Sequence, residues 1–338
     1  MGSADGPRGG PPVSSDTGVE THVGARHRAT GRRMSTGRAG DKIFVSAARG
    51  SGILVLVIMA AIAIFLIWKA VPALQRNEAS FLTAEEWDPN ALPPRFGIAQ
   101  LAFGTVISSL LALVIATPVA IGIALFTCFY APRRLSAPLS YVVDLLAAVP
   151  SIVYGLWGLL LLSRHMEGVS SFLNTALGWI PLFGGDSPGR NSIFTAAVVL
   201  AIMILPIISS ISREVFVQVP RANVEAALAI GATRWETIRL AVLPYGRSGM
   251  IGASMLGLGR AMGETIAVAM VLTFVPGINI HILEDGGSTF AANIAKSFGE
   301  ASVTGRGALI ASGLVLFVIT LLVNMAARAV VARRKEFV

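Results

Sequence analysis

The chain has 338 residues, of which 54% are hydrophobic and only 14% charged, with mean hydropathy +0.70. Soluble domains carry about 25% charged residues, so a soluble enzyme is excluded and an integral membrane protein is expected. The net charge of +8 needs locating before it has meaning, and the single cysteine, Cys128, excludes an internal disulfide and any cysteine-based metal cluster.

Residues 1–49 are rich in Gly, Ser, Arg and Pro, with almost no large apolar side chains before Ile43. Such a segment cannot bury enough surface to offset chain entropy, so a disordered basic tail is expected. It is not read as a secretory signal, because the apolar run begins near residue 51 and no A-x-A site follows it. The first span should therefore remain as an anchor.

A transmembrane helix needs about 20 mostly apolar residues. Six spans are expected, at 51–70, 98–130, 137–162, 192–212, 249–275 and 307–330. Residues 50–338 thus form one all-α transmembrane domain. The Thr117-Pro118 step, Pro150 and Pro206 are expected kinks. Trp68, Trp157 and Trp179 read as interface anchors.

The charge now has a place. The tail, the pair Arg133–Arg134, the segment 213–247 and the C-terminal stretch 328–338 together carry +11, whereas the loops 69–95, 164–190 and 276–306 together carry −2. Basic residues near span ends stay on the cytoplasmic side. Both termini are therefore expected inside, and the basic balance is a topology signal that calls for no nucleic-acid partner.

Asp144, a short way into the third span, is expected to be structural, a partner for loop cations such as Arg133. The segment 213–247 is the longest inward connection, and it is organised. Ala222 to Ile230 is a run of good helix formers, Gly231 suits a left-handed helix end, and Thr233 to Glu236 fits a capping box. A second helix then presents Trp235, Ile238 and Val242 on one face and reaches Leu243, where Pro244 prevents simple continuation. From periodicity alone this hairpin is either a loop packed beneath the bundle or a docking element for a cytoplasmic partner.

Arg260 and Glu264 lie near the middle of the fifth span, at i, i+4 on one helix face, where they can pair. Charges at that depth usually face a bundle interior or an aqueous cavity. Two readings stand: a structural ion pair locking two spans, or a pathway charge for a passing oxyanion, which the planar arginine fork suits. Gly259-x-x-x-Gly263 would permit close helix approach. In the outward loop 276–306, Ser288 is a candidate N-cap for a short helix through Phe298.

No P-loop, no H-E-x-x-H and no G-x-S-x-G occurs in the sequence. Catalytic residues, a metal site and a cofactor are therefore not expected, and ATP hydrolysis would fall to another subunit.

Glu225-Ala226-Ala227, three residues, Gly231, then Leu243-Pro244 resembles the EAA loop of bacterial ABC-importer permeases, with Ala241 at the aliphatic position two before Leu243 as the one departure. The resemblance implies a type I, MetI-like permease with six spans and cytoplasmic termini. It also implies that the loop forms coupling helices on an ATPase subunit, through Glu225, Ala226, Ala227, Gly231, Leu243 and Pro244.

Arg213 to Phe216, Val219-Pro220, Asp144 to Leu146 with Val149 to Gly155, and Gly259 to Val268 are similar to permeases of phosphate-specific importers. Glu264-Thr265-Ile266-Ala267-Val268 favours one of the two permease types of that importer, since the other usually reads Glu-Thr-Ala-Pro. The similarity covers about residues 50–335. It implies that Arg260 and Glu264 serve phosphate passage in a multi-pass protein of the bacterial cell membrane, surrounded by lipid. The implied partners are a second permease subunit, a dimer of ATPase subunits and an extracytoplasmic phosphate-binding protein. The rival readings are a permease for another oxyanion, such as sulfate or molybdate, and a secondary transporter without an ATPase.

Overall fold

The computed structural model describes residues 37–333. The chain divides into two units, Met1–Val57 and Ile58–Val338. In the first, the described residues are the N-terminal part of helix α1 (Gly37–Arg76). Helix begins at Gly37, inside the stretch expected to be an unstructured tail, and the rest of that expectation lies outside the described residues.

The second unit is almost wholly helical. After α1 come α2 (Ala99–Leu125), α3 (Arg133–Ala147), α4 (Ser151–Trp157), α5 (Ser163–Leu177) and α6 (Ile193–Val217). Then follow α7 (Arg221–Ala229), α8 (Arg234–Thr237), α9 (Leu243–Met262), α10 (Ile266–Val271), α11 (Phe290–Ser297) and α12 (Val303–Arg333). A two-residue antiparallel ribbon, β1 (Trp87–Asp88) with β2 (Arg95–Phe96), ties the first outward loop.

Among the described residues, four helical stretches are long and apolar enough to cross a membrane: Gly40–Arg76, Ala99–Tyr130, Ile193–Val217 and Val303–Ala329. A fifth crossing exists only if Arg134–Ala147 and Ser151–Leu177, bent by 90°, are taken together. The remaining expected span, the fifth at 249–275, is divided instead between α9 and the short α10. Arg247 and Arg260 lower the hydropathy of α9, and the chain leaves helical geometry at Gly263.

The prolines behave differently from one another. Pro118 and Pro206 sit inside helices that run through them without a break. Pro150 does more than kink. It is extended at φ −58°, ψ 139°, ends one helix and opens the next. The pyrrolidine ring disfavours helix at the preceding residue, and proline is tolerated where a new helix starts. The Tyr154 hydroxyl donates to the Leu146 carbonyl at 2.8 Å across this corner. Helix then continues to Leu177, absorbing half of the loop expected over 164–190.

The core is built around α6, whose Leu200, Met203, Ile204 and Ile208 are fully buried among α2, α9 and α10. Apolar burial of this kind contributes about 1.5–3 kcal/mol per large side chain. Small residues set the approach distances. A Cβ on Gly155 would stand 2.8 Å from the Ala267 Cα, so α4 lies directly on α10. Backbone cannot yield as a flexible side chain can. Gly155→Val should cost about 1–3 kcal/mol by overpacking and lower the thermal midpoint of the purified protein. An unchanged midpoint would refute the α4–α10 contact.

Candidate functional site

Two constellations follow from the sequence, and the structure places both. The first is the cytoplasmic hairpin. α7 carries Glu225, Ala226 and Ala227, with Ala227 buried and the other two exposed. Gly231 has φ +86°, a left-handed conformation that glycine adopts without a Cβ penalty. Gly231 N–H donates to the Leu228 carbonyl at 3.0 Å and Ala232 N–H to the Ala227 carbonyl at 3.2 Å. That pair of bonds is a Schellman ending, which satisfies carbonyls the helix leaves open.

The capping box forms as expected. The Glu236 N–H donates to Thr233 Oγ1 at 3.3 Å, and the Thr233 N–H donates to Glu236 Oε2 at 2.7 Å. The Thr233 hydroxyl also donates to Glu236 Oε2 at 2.8 Å. These bonds hold the Glu236 carboxyl below the usual glutamate range. The cap is therefore fully formed at neutral pH and is lost as pH falls through that depressed value.

Two details of the hairpin differ from expectation. Pro244 does not end the second helix; a π turn over Ile238–Val242 carries α8 into α9, with Pro244 in the first turn of α9. The wider turn leaves room where the proline ring would clash with the preceding turn's carbonyl and accommodates the missing N–H. Leu243 and Pro244 thus join the hairpin rigidly to the helix that bears Arg260. Trp235, moreover, does not share the buried face. Ile238 and Val242 pack with Phe216, Val219 and Ala124, while Trp235 is 56% exposed. Leu228, Ile230 and Leu240 are exposed on the same hairpin.

Above the hairpin lies a cavity of about 800 Å³ between the inner ends of α2, α3, α6 and α7. Asp144 spans it. The Arg213 guanidinium lies 3.1 Å from Asp144 Oδ2, and the Ser210 hydroxyl donates to Oδ1 at 2.8 Å. The expected partner of Asp144 is a loop cation such as Arg133, and the observed one is Arg213 on α6 instead. Ser210 and Arg213 are three apart on α6, so one helix face supplies both, a spacing the sequence contained. Glu225 lines the same cavity.

The second constellation is Arg260 with Glu264, and here the expectation of an ion pair fails. Among the described residues no such pair lies within 4.0 Å. The reason is the break at residues 263–265. Met262 ends α9, Gly263 lies at φ −91°, ψ 0°, and α10 begins at Ile266, so i and i+4 no longer share a face. Glu264 turns inward, is 8% exposed, and accepts the Ala267 N–H at Oε1, 3.1 Å. A carboxylate at a helix N-terminus is favoured by the backbone dipoles there.

Arg260 points the other way. It is exposed on α9 and lines a cavity of about 710 Å³ with Gly252, Met255, Asn324 and Arg328. A Cβ on Gly252 or Gly259 would meet nothing within 4 Å, so the expected close crossing at Gly259-x-x-x-Gly263 is not made among the described residues. The tight glycines of α9 are Gly246, Gly249 and Gly257, against Phe216, Val215 and Ile208 of α6. In the outward loop the N-cap of α11 is Thr289, which accepts from the Ala292 N–H, in place of Ser288.

The family of binding-protein-dependent transport system inner membrane components matches residues 116–336. The chain is 51% identical over 302 residues to "Phosphate transport system permease protein PstC 2" of Mycobacterium tuberculosis, covering 88% of this chain and 93% of that protein. It is 49% identical to the PstC permease of Mycobacterium leprae, covering 86% and 92%, and 42% identical to that of Xylella fastidiosa, covering 90% and 95%. In fold it resembles a chain of the inward-facing MetNI methionine ABC transporter, with TM-score 0.53 and 14% identity over 70% of this chain and 95% of that one.

Proposed function

Because the chain belongs to the family of binding-protein-dependent transport system inner membrane components, we propose that it is the permease subunit through which an ABC importer brings inorganic phosphate into the cytoplasm. It is a multi-pass inner-membrane protein and a transport component of an assembly with other subunits. The relatives named as phosphate permeases, matched over nine-tenths of their length, support the substrate.

The residues support a division of labour. Phosphate passes unaltered, and a dimer of separate ATPase subunits supplies the energy. The ATPase docks on the Glu225–Pro244 hairpin. The observation that carries this part is the outward presentation of Leu228, Ile230, Trp235 and Leu240 on a hairpin whose opposite side is packed on Phe216 and Val219. Apolar side chains left open beside a Schellman turn and a capping box form a rigid apolar surface suited to a partner. Glu225, Ala226, Ala227 and Gly231 shape it, and Leu243 and Pro244 pass its movement into α9.

Arg260 is the pathway cation. Glu264 has no hold on it, because the Glu264 carboxylate caps α10 instead. An unneutralised guanidinium in a cavity can donate two parallel hydrogen bonds to a phosphate oxyanion. Glu264 supports passage from behind, by fixing the break that turns Arg260 toward the open face of α9. That face, with Gly252 and Gly259 uncovered, receives a second permease subunit, and an extracytoplasmic phosphate-binding protein delivers to the outer mouth. The N-terminal residues 1–49 lie outside this transport domain, on the cytoplasmic side.

Competition separates this reading from a permease for another oxyanion. In cells that depend on this chain, uptake of labelled phosphate should be blocked by unlabelled phosphate and unaffected by equal sulfate or molybdate. Block by sulfate or molybdate at equal concentration would reassign the substrate.

A further inference from the structure

The outward loops hold seven cations that charge-based topology would place inside, and two of them, Arg95 and Arg190, are paired with carboxylates. Arg95 lies 3.8 Å from Glu86, Arg190 lies 2.6 Å from Glu167, and the Lys296 ammonium donates to the Leu272 carbonyl at 2.7 Å. Arg164 has no such pair among the described residues, and Lys69, Arg76 and Arg306 are set apart by lying together. Among the described residues none of them has a carboxylate within 4.0 Å, and all three line one groove of about 430 Å³ between the outer ends of α1 and α12.

The groove is built as well as charged. Its floor is the contact of Ala73 with Gly307, where a Cβ on Gly307 would come within 2.6 Å of the Ala73 Cβ. The Arg76 guanidinium ties the two helices by donating to Thr304 Oγ1 at 3.3 Å. The Lys69 ammonium sits 5.0 Å from the Trp68 ring centre and the Arg306 guanidinium 5.9 Å from that of Phe298. Stacking on rings holds the cations at the rim without consuming their charge. Acidic side chains are absent from the lining, which below the rim is apolar through Pro72, Ala73 and Ile310.

An apolar cleft between two helices long and apolar enough to cross a membrane, rimmed by three cations and an exposed tryptophan, has the amphipathic pattern of a phospholipid. We propose that this groove binds an anionic phospholipid of the outer leaflet, with the headgroup phosphate on Lys69, Arg76 and Arg306 and the acyl chains along α1 and α12. The bound lipid would cover charges that are otherwise exposed at the interface and would brace the first helix against the last. This assignment rests on the inward placement of the chain termini, and not on the identity of the transported substrate.

Native mass spectrometry of the full chain in detergent tests it, with phosphatidylglycerol and phosphatidylcholine offered at equal concentration. Retention should favour phosphatidylglycerol by on the order of tenfold, and K69Q/R76Q/R306Q should remove the preference. Inorganic phosphate at millimolar concentration should not displace the lipid. Equal retention of the two lipids by the unaltered chain would overturn the proposal, and that comparison stands even if the variant does not fold. A preference surviving in a folded variant would also overturn it. Displacement by inorganic phosphate would make the groove a free-anion site and would likewise refute the lipid assignment.

Discussion

Arg260→Gln is expected to lower phosphate uptake by about 10- to 100-fold, the loss of a charge-assisted hydrogen bond worth about 1.5–3 kcal/mol, while assembly with the other subunits is unchanged. The side chain is exposed and makes no ion pair among the described residues, so its removal leaves no buried partner uncompensated. Glu264→Gln should behave differently. Its amide oxygen can still accept the Ala267 N–H that caps α10, so a measurable fraction of uptake should remain. Labelled-phosphate uptake by the two variants, normalised to the amount of assembled transporter, distinguishes the roles. Normal uptake with Arg260→Gln would remove Arg260 from the pathway. Equal, complete loss with both would restore the paired reading.

The second large effect concerns the hairpin. Trp235→Ala should weaken association with the ATPase subunit by more than tenfold, because a large aromatic at the centre of an interface commonly contributes about 2 kcal/mol or more. Glu225→Lys, a charge reversal on the exposed side of α7, should weaken it further at low salt. Gly231→Ala acts through the backbone. A Cβ there meets nothing within 4 Å, so the cost is confined to the positive φ, about 1 kcal/mol. That is enough to loosen the Schellman turn without unfolding the span. Affinity of the purified ATPase for the variants in detergent gives the order. Undiminished binding by Trp235→Ala and Glu225→Lys together would exclude this face as the docking surface.

The parts of this architecture written in local sequence were legible. The turn at Gly231 and the box from Thr233 to Glu236 depend on residues three to five apart, and both form. Long apolar runs foretold α1, α2, α6 and α12, because hydropathy alone decides them. What could not be read depended on tertiary context. Pro118, Pro150 and Pro206 look alike in sequence, yet only Pro150 breaks its helix, where α4 must turn onto α10 through Gly155. Periodicity through residues 260–264 assumed an unbroken helix, whereas the helix ends at Met262 and turns the two charges apart. Gly263 immediately before Glu264 was the available signal, since glycine is common just past a helix end. The choice of Arg213 as the partner of Asp144 also needed the fold, although Ser210 and Arg213 already shared a face of α6.

The decisive measurement is uptake of labelled phosphate by proteoliposomes containing the chain with its partner permease, ATPase and binding protein, with and without ATP. Uptake that requires ATP, falls by about 10- to 100-fold with Arg260→Gln and does not extend to labelled sulfate is the predicted result. Phosphate uptake that proceeds equally without ATP, or sulfate carried as readily as phosphate, would contradict it.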